Sequence, residues 1–333
     1  MPTRAQIEKW FQDFSTKKIL VVGDVMVDAY IWGKVSRISP EAPVPIINIT
    51  KREERPGGAA NVALNLNALG ASTFILATIG KDNPGHDFKK LLEEQGINTQ
   101  ALISDPNRNT TIKTRIISQG QQMLRVDEED SRNINADLED QVLDMLQQTV
   151  AKNSIDAIVL EDYNKGLLTP RVIKGIIDFA RKNHIPVTVD PKKENFFAYK
   201  GATLFKPNLK ELAEGLKHDI NPNSEDDVMH ALEELKIKMD LRSSMVTLSE
   251  YGVQCLAEDF TGRIPAHKRE ISDVSGAGDT VIAVATLCLA SKLPNIIMCE
   301  LSNLAGGLVC EEIGVVPIKK EKLLNEAIRI LNA

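Results

Sequence analysis

Short apolar runs and longer amphipathic stretches alternate along most of this chain, and that alternation predicts an α/β fold. Residues with strand character fall in the runs 18–23, 74–80, 157–161, 186–190, 203–205, 244–248 and 253–257. Residues with helical character fall in the segments 59–69, 88–95, 138–153, 170–183, 209–216 and 320–331. Strands that alternate with helices are joined by right-handed crossovers, so the pattern predicts a parallel sheet covered by helices on both faces, an α/β/α sandwich.

The pattern changes in two stretches, residues 30–54 and 108–128, which we predict to pair as a small separate sheet. Prolines at 40, 43 and 45 exclude a helix in the first stretch and permit an edge strand. Residues 111–116 of the second stretch alternate between polar and apolar positions. Such a sheet can close over a ligand as a lid. Its apolar face needs a cover, and the same sheet of a second subunit would supply one, which predicts a homodimer through the lid. The alternative is that the helix predicted at residues 1–14 covers that face.

Residues 1–16 have the pattern of an amphipathic helix that precedes a single domain at residues 17–333. Ile7, Trp10, Phe11 and Phe14 recur at helical spacing among charged residues, unlike a signal peptide. No run of about 18 apolar residues occurs, so no transmembrane helix is predicted.

The composition argues against several classes of function. A chain of 333 residues with 43% hydrophobic residues can bury a large core. A net charge of −6 without a basic cluster argues against nucleic acid or an anionic membrane as a partner. The cysteines show no Cys-x-x-Cys pair, which predicts buried free thiols in a reducing cytoplasm and no metal site; they are Cys255, Cys288, Cys299 and Cys310.

The strongest candidate for chemistry is the segment Gly276-Ala277-Gly278-Asp279. Residues 268–272 before it can enter a strand, and residues 281–289 after it are apolar almost all round, as in a fully buried helix. A glycine turn at a helix N-terminus offers free amides and a positive dipole end to an anion such as phosphate. A carboxylate at such a site would repel the anion, so Asp279 is either a general base or simply the N-cap of the helix.

Other polar residues follow predicted strands or begin predicted helices. Asp28 follows the first strand, where ligands bind in open α/β sheets, although a surface turn explains it equally well. Gly57, Gly58 and Asn61 start a helix, and a tight turn with a capping amide is the simpler explanation for them.

Two lysines and one pair of oxygen-bearing side chains complete the candidates. Lys165 and Lys192 follow strands, where a lysine is usually solvated, so a binding role and a solvated one are equally open. Asn208 and Glu211 lie one helical turn apart on the same side of a predicted helix. They fit either a capping box or a pair of oxygen ligands for Mg²⁺.

The strings at residues 55–63 and 273–280 resemble the two signatures of the ribokinase-like (PfkB) sugar kinases. The resemblance spans residues 15–330 and implies that Asp279 is the base and that the amides of Gly276, Ala277 and Gly278 form an anion hole. It implies that Asp28, Gly57, Gly58 and Asn61 contact the sugar, and that Asn208 and Glu211 orient hydrated Mg²⁺. It further implies an ATP site that contains Asn208, Thr247, Gly252 and Asn303. In relatives, carbonyls of the loop 313–317 and of the chain near Asp273 often hold a monovalent cation such as K⁺.

Several strings are narrower than the superfamily and resemble the kinase domain of the heptose-phosphate enzymes; they lie at residues 23–28, 36–45, 55–63, 121–127 and 162–166. That resemblance implies phosphorylation of D-glycero-D-manno-heptose 7-phosphate at O1. Met26 stands where ribokinase has a polar sugar contact, which argues against plain ribose. A phosphorylated sugar requires a cation, and Arg125, Lys165 and Lys192 are the candidates. Another sugar kinase and a non-catalytic sensor are the alternatives. Without a His-x-Gly-His motif, the chain is expected to be a kinase that stands alone.

Overall fold

The computed structural model describes residues 2–332 as two sheets surrounded by helices; Met1 and Ala333, at the ends of the predicted segments, lie outside the described residues. The helices are α1 (Arg4–Phe14), α2 (Ala59–Ala68), α3 (Asn83–Glu94), α4 (Ala136–Asn153), α5 (Pro170–Lys182), α6 (Leu209–Leu216), α7 (Glu225–Met239), α8 (Ala277–Ala290), α9 (Asn295–Val309) and α10 (Lys320–Leu331).

The strands are β1 (Lys18–Gly23), β2 (Val25–Ile38), β3 (Pro45–Gly58), β4 (Ser72–Gly80), β5 (Leu102–Asp105), β6 (Ile112–Ser118), β7 (Gln121–Glu128), β8 (Ala157–Glu161), β9 (Val187–Asp190), β10 (Leu204–Phe205), β11 (Ser243–Thr247), β12 (Val253–Leu256) and β13 (Thr261–Ile264). The nine-stranded sheet has the order β13-β12-β11-β10-β9-β8-β1-β4-β5. Strands β11 to β5 in that order run parallel, β12 pairs antiparallel with β11, and β13 pairs antiparallel with β12. The predicted α/β/α sandwich with a parallel sheet is confirmed.

Side chains of the central strands point alternately to two separate cores. Ile19 and Val21 of β1 join the core shared with α1, α2, α8, α9 and α10. Leu20 and Val22 join the core beneath α4, α5, α6 and α7. A strand that is buried on both faces needs a continuous apolar run, and this requirement explains the apolar residues 19–22 of β1 and 157–160 of β8. The acidic residues that follow the apolar parts of these strands, Asp24 and Glu161, therefore lie at the same edge of the sheet.

Helix α8 is buried around its whole circumference, as its sequence predicts. It packs against α2, α9 and the sheet, so its N-terminus is fixed from several sides. Helix α1 buries Ile7, Phe11 and Phe14 in the same core, beside α10. Nζ of Lys320 donates to the hydroxyl of Ser15 at 2.8 Å at that junction. The first helix thus covers the main body rather than the small sheet.

The small sheet, called the lid below, has four strands in the order β3-β2-β6-β7. It begins at Val25, directly after β1, and its second strand ends at Gly58, so it is wider than the predicted stretch 30–54. The proline-rich residues form the β2–β3 hairpin and the start of the edge strand β3, as expected. Alternate residues give the lid a charged face and an apolar face. On the apolar face, Leu124 is 55% exposed and Val126 is 44% exposed.

Two expectations about secondary structure are wrong. Residues 268–272 form no strand, because ion pairs of Arg269 with Glu311 (2.5 Å) and Glu326 (3.0 Å) hold this segment against the C-terminal part of the chain. The nearest preceding strand is β13. Residues 225–239, for which no element was predicted, form α7, and the Ser224 side chain caps its N-terminus.

Two findings concern the cysteines and the membrane. Cys255, Cys288, Cys299 and Cys310 are free and buried, as predicted. Across residues 2–332, each helix is too short or too polar to cross a bilayer.

Candidate active site

The turn before α8 presents Asp279 as a buried carboxylate. Gly276 caps the helix with φ of 79°, a left-handed conformation that glycine adopts readily. A Cβ atom there would lie 2.8 Å from Nδ2 of Asn61, so a larger residue would also push that amide away. Asp279 lies inside the first turn of α8 and is 6% exposed. Because the N-cap is Gly276, the simple capping role for Asp279 is excluded.

Two neutral donors hold the carboxylate of Asp279. Nδ2 of Asn61 donates to Oδ2 at 2.7 Å, and the hydroxyl of Tyr163 donates to Oδ1 at 2.9 Å. Burial raises the pKa of Asp279, and the hydrogen bonds from Asn61 and Tyr163 oppose that rise only in part. A raised pKa makes this carboxylate a stronger proton acceptor when it is ionised, as a general base requires.

Asn61 contacts the carboxylate in this structure, whereas the predicted role was contact with the sugar. The side chain is fully buried at the start of α2, and its Oδ1 accepts from Nδ2 of Asn65 at 3.3 Å. Oδ1 of Asn65 in turn accepts from the hydroxyl of Thr280 at 3.0 Å. These amides tie α2 to α8, and Asn61 serves as a positioning residue for Asp279.

A second buried aspartate, Asp24, fixes the loop that carries Tyr163. Its carboxylate accepts from the backbone N–H groups of Tyr163 at 3.0 Å, Lys165 at 2.9 Å and Leu167 at 3.2 Å. No function was predicted for Asp24 from the sequence. Because three amides converge on one carboxylate, the loop after β8 is held in one conformation and the Tyr163 hydroxyl is aimed at Asp279.

The predicted anion hole at Gly276, Ala277 and Gly278 is partly used by the fold itself. The Ala277 N–H already donates to the carbonyl of Val274 at 3.3 Å. No acceptor among residues 2–332 lies within hydrogen-bond reach of the Gly276 or Gly278 amide. These two amides, at the positive end of α8, are available to an anion.

Three charged residues at neighbouring strand ends surround Asp279, and the sequence analysis assigns none of them a function. Glu161 ends β8, Asp190 ends β9, and Lys206 follows β10. Glu161, Asp190 and Asp279 each offer a carboxylate oxygen within 4.8 Å of the others. The signal available in the sequence was the position of each charge directly after a buried apolar strand.

The charges in this cluster are only partly balanced. Glu161 is fully buried, and no residue in the described range 2–332 donates to its oxygens. Burial and the charges of Asp190 and Asp279 raise its pKa. Nζ of Lys206 lies 2.8 Å from Oδ2 of Asp190. Burial alone would lower the pKa of Lys206, but the carboxylates of Asp190, Glu211 and Glu161 together outweigh burial and the pKa is raised, so the ammonium keeps its charge.

Asn208 and Glu211 form a capping box at the start of α6, the structural alternative that their spacing left open. Oδ1 of Asn208 accepts from the Glu211 N–H at 2.8 Å, and Oε2 of Glu211 accepts from the Asn208 N–H at 2.9 Å. Nζ of Lys192 donates to the other Glu211 oxygen at 2.6 Å and lies over the Tyr163 ring. The candidate metal ligands, Oδ1 of Asn208 and the carboxylate of Glu211, are oxygen atoms and suit Mg²⁺. Both Glu211 oxygens already accept hydrogen bonds, which favours contact with the ion through water.

Asp28 belongs to the lid and not to a loop after β1. It is buried in β2, and Nη1 of Arg115 lies 2.5 Å from its Oδ1. Gly57 on β3 lies close beside it, since a Cβ atom there would be 2.1 Å from Oδ2 of Asp28. Gly58 follows with φ of 61°. The structure therefore brings Asp28, Gly57 and Gly58 together and adds Arg115, which the sequence analysis missed.

The three predicted phosphate-binding cations lie in different surroundings. Arg125 is on the lid strand β7, half-exposed, with its Nε 2.9 Å from Asp127. Lys165 lies 2.8 Å from Glu129 and shares that carboxylate with Lys113, which is 3.0 Å away and was missed by the sequence analysis. Lys192 lies by Glu211, on the side of the site formed by the main sheet. The structure thus separates Lys192 from the other two.

A cavity of about 600 Å³ extends from β11 to the N-terminus of α8. Three of the predicted ATP-site residues, Thr247, Gly252 and Asn303, line it, and so do Ala277 and Gly278 at the turn. Asn208, the fourth, is joined to Thr247 by a β-bridge. A pocket of this size that ends at free helical amides fits a nucleotide whose phosphates point towards Asp279.

The loop 313–317 connects this cavity with the lid. The Gly314 N–H donates to Oδ2 of Asp273 at 2.9 Å, and Nη1 of Arg55 donates to the carbonyl of Val315 at 2.9 Å. Arg55 is a lid residue that also stacks on Tyr30. Hydrogen bonds therefore hold the loop to Asp273 near the glycine turn and to Arg55 of the lid.

Comparison with known proteins agrees with this geometry. The model of the pfkB family, described as pfkB family carbohydrate kinase, matches residues 16–322. The bifunctional protein HldE of Aliarcobacter butzleri is 42% identical over 296 residues, which are 89% of this chain and 61% of that protein. HldE of Trichlorobacter lovleyi is 36% identical over 322 residues, 96% of this chain and 65% of that protein. The chain thus spans less than two thirds of the length of these relatives.

Solved structures share the fold at low sequence identity. Phosphofructokinase-2 from Escherichia coli, in complex with potassium, superposes with a TM-score of 0.79 at 18% identity and covers 96% of this chain and all of its own. Arabidopsis thaliana ribokinase, complexed with ribose and ATP, superposes with a TM-score of 0.70 at 16% identity and covers 93% of this chain and 99% of its own. These likenesses establish a ribokinase-like fold. The match to the family model over residues 16–322, with relatives about 40% identical, shows that the chain belongs to the pfkB family and is an ATP-dependent carbohydrate kinase.

Proposed function

We propose that the chain transfers the γ-phosphoryl group of ATP to O1 of D-glycero-D-manno-heptose 7-phosphate, giving the 1,7-bisphosphate. The observation that carries the proposal is the place of Asp279 between two ligand sites. It directly follows Gly278, which lines the nucleotide cavity. It is held by Asn61, which follows the lid glycines Gly57 and Gly58 beside Asp28. A base at this junction can take a proton from a sugar hydroxyl that faces ATP.

The heptose rests on the narrower strings of the sequence and on the HldE relatives. Those strings are concentrated where the structure puts the lid and the loop that follows β8, the parts that border the sugar site. HldE proteins match the chain at about 40% identity over nine tenths of its length. The product would feed synthesis of a nucleotide-activated heptose for lipopolysaccharide or surface glycans. The proposed compartment is the cytoplasm, which supplies ATP and keeps free thiols such as those of this chain reduced.

The proposed reaction is a single in-line displacement. The O1 hydroxyl gives its proton to Asp279 while O1 forms a bond to the γ-phosphorus. The bond from that phosphorus to the bridging oxygen breaks, and ADP leaves with the electron pair. Free amides at Gly276 and Gly278 donate to the oxygens of the transferring group, whose charge they stabilise. Asn61 and Tyr163 keep the carboxylate oriented throughout.

Asn208 and Glu211 would hold Mg²⁺ through water. The ion, when bound, neutralises charge on the β- and γ-phosphates. We extend the proposal to a monovalent cation such as K⁺ at the carbonyls of loop 313–317. The Val315 carbonyl already accepts from Arg55, so the other carbonyls of the loop and those near Asp273 would supply its ligands.

The 7-phosphate of the sugar would lie against the charged face of the lid. Lys113 and Lys165 converge on Glu129. Arg115 contacts Asp28, and Lys113 is opposite Asp28 in the strand register, so two of these three cations border the proposed sugar-binding aspartate. Arg125 on β7 extends this positive surface outward. Lys192 is better placed for the nucleotide phosphates, because it lies by Glu211 and over Tyr163. An arginine or lysine cluster of this kind suits a phosphate monoester.

A panel of sugars tests the substrate directly. We expect ATP consumption to be fastest with D-glycero-D-manno-heptose 7-phosphate and slower with ribose, fructose 6-phosphate and unphosphorylated heptose. Phosphorus NMR of the product should show a new anomeric phosphate. Faster turnover of another sugar would replace the heptose by that substrate within the same family, and transfer to a different hydroxyl would contradict O1.

Replacing the base tests the mechanism. Asp279→Asn should lower kcat by about two to four orders of magnitude, because the amide cannot accept the proton. Calorimetric titration with ADP should give an unchanged dissociation constant, since the nucleotide cavity is intact. Turnover close to that of the wild type would remove Asp279 from the proton transfer.

The Tyr163 hydroxyl should affect the pH at which the Asp279 carboxylate becomes protonated and can no longer act as a base. It stabilises the ionised form of Asp279, so Tyr163→Phe raises the carboxyl pKa further. A base must be ionised, and activity falls as pH drops through its pKa. The acid limb of kcat/KM against pH should therefore move to higher pH in this variant. Tyr199→Phe, which removes a buried hydroxyl from Asp162 instead, is the control and should leave the limb in place. An unmoved limb in Tyr163→Phe would contradict this role.

We propose that the chain is a homodimer through the apolar face of its lid. Ile47, Ile116, Leu124 and Val126 share this face by strand register, and an isolated sheet of this size is not expected to leave it bare. Ile47→Glu and Ile116→Glu should shift sedimentation at micromolar concentration towards monomer and slow catalysis together. Ile237→Glu, on the exposed side of α7, is the control and should do neither. A fully active monomeric wild-type protein would contradict the proposal.

A further inference from the structure

Lys206 is a buried cation whose surroundings do not account for it. It is 2% exposed, and burying an ammonium group is costly unless its donors are paired. An ammonium has three donors, and Asp190 is its only polar partner within residues 2–332. The backbone on either side is fixed, since the Lys206 N–H donates to the Val189 carbonyl and Asn208 begins α6 two residues later. A rigidly held lysine with unused donors indicates a missing acceptor.

The direction in which Lys206 points identifies where that acceptor lies. A Cβ atom built on Gly278 would be 3.7 Å from Nζ of Lys206 and 3.5 Å from Oδ2 of Asp190. The ammonium therefore lies beside the turn whose Gly276 and Gly278 amides are free. A cation near the positive end of a helix is unfavourable by itself. Placed there together with free amides, it favours an anion held between them.

We propose that Lys206 is a catalytic residue that contacts an equatorial oxygen of the transferring γ-phosphoryl group. This inference rests on the proposed function and adds a side-chain cation to its two amides. In the transition state the charge is spread over three phosphoryl oxygens, and donors already in place stabilise it most. The bonds formed and broken are the same as in the proposed reaction: O1 bonds to phosphorus, ADP leaves, and the proton goes to Asp279. Lys206 keeps its own protons and remains an ammonium.

The competing explanation is that Lys206 only neutralises Asp190 within the carboxylate cluster. A double-mutant cycle separates the two explanations, because a countercharge becomes unnecessary once its partner is neutral. Lys206→Met should lower kcat by about 10²–10³-fold, the usual loss for one such donor, with little change in KM for either substrate. Lys210→Met, on the exposed surface of α6, is the matched control and should be unchanged.

The cycle is completed by Asp190→Asn and by the double variant. If Lys206 contacts the phosphoryl group, the double variant should be slower than Asp190→Asn by about the same factor as Lys206→Met is slower than wild type. If the double variant equals Asp190→Asn in kcat, Lys206 is a countercharge only and the proposal is overturned. Unchanged kcat in Lys206→Met would overturn it as well.

A binding measurement keeps the test independent of the sugar and of turnover. ADP with aluminium fluoride imitates the transferring phosphoryl group, so it should bind the wild-type protein more tightly than ADP alone. Lys206→Met should lose that excess and keep its affinity for ADP, which also shows that the variant is folded. Retention of the excess would overturn the role of Lys206. Failure of the sugar panel with intact fluoride binding would instead overturn only the heptose substrate.

Discussion

The structure depends on keeping one carboxylate, Asp279, buried and reactive at the same time. A buried carboxylate without donors is destabilising, and a salt bridge would lower its pKa and weaken it as a base. Two neutral donors, Asn61 and Tyr163, satisfy both requirements. They come from α2, which follows the lid, and from the loop after β8, which Asp24 fixes at the end of β1. The geometry of the base is thus set jointly by the lid, the central strands and α8.

The strand ends around this carboxylate form an electrostatic frame for an anion. Glu161, Asp190 and Asp279 repel one another, and the unpartnered Glu161 raises the cost of the cluster. Lys206 and Lys192, each paired with a different carboxylate, offset part of that repulsion. Under the proposed function, the free amides of the glycine turn and a bound Mg²⁺ would balance the charge of the phosphates that enter this frame.

Patterns that repeat along the chain were predictable, and contacts between distant segments were not. The apolar run of β8 and the helix α6 were predicted to the residue, because period and end signals coincide there. The glycine turn, Asp28 and the nucleotide residues could be named from motifs. The roles of Asn61 and Asp24 could not, since each depends on a partner more than a hundred residues away. Residues 268–272 looked like a strand locally, but the ion pairs of Arg269 decide their path.

The two faces of the lid are carried by the same strands, so the position of one face depends on the other. Its strands alternate, so Asp28 and Arg115 face the site while Ile116 and Leu124 face outward. A slip of one residue would exchange the two faces and destroy both. Two features fix the register of β2 against β3: the close approach of Gly57 to Asp28, and the bulge that shifts the pairing between Trp32 and Gly33 of β2. Under the proposed function, a contact that stabilises the outer face would also hold the sugar ligands in place, because the same backbone carries both. The proposed dimer would thereby link the oligomeric state to the chemistry of the sugar site.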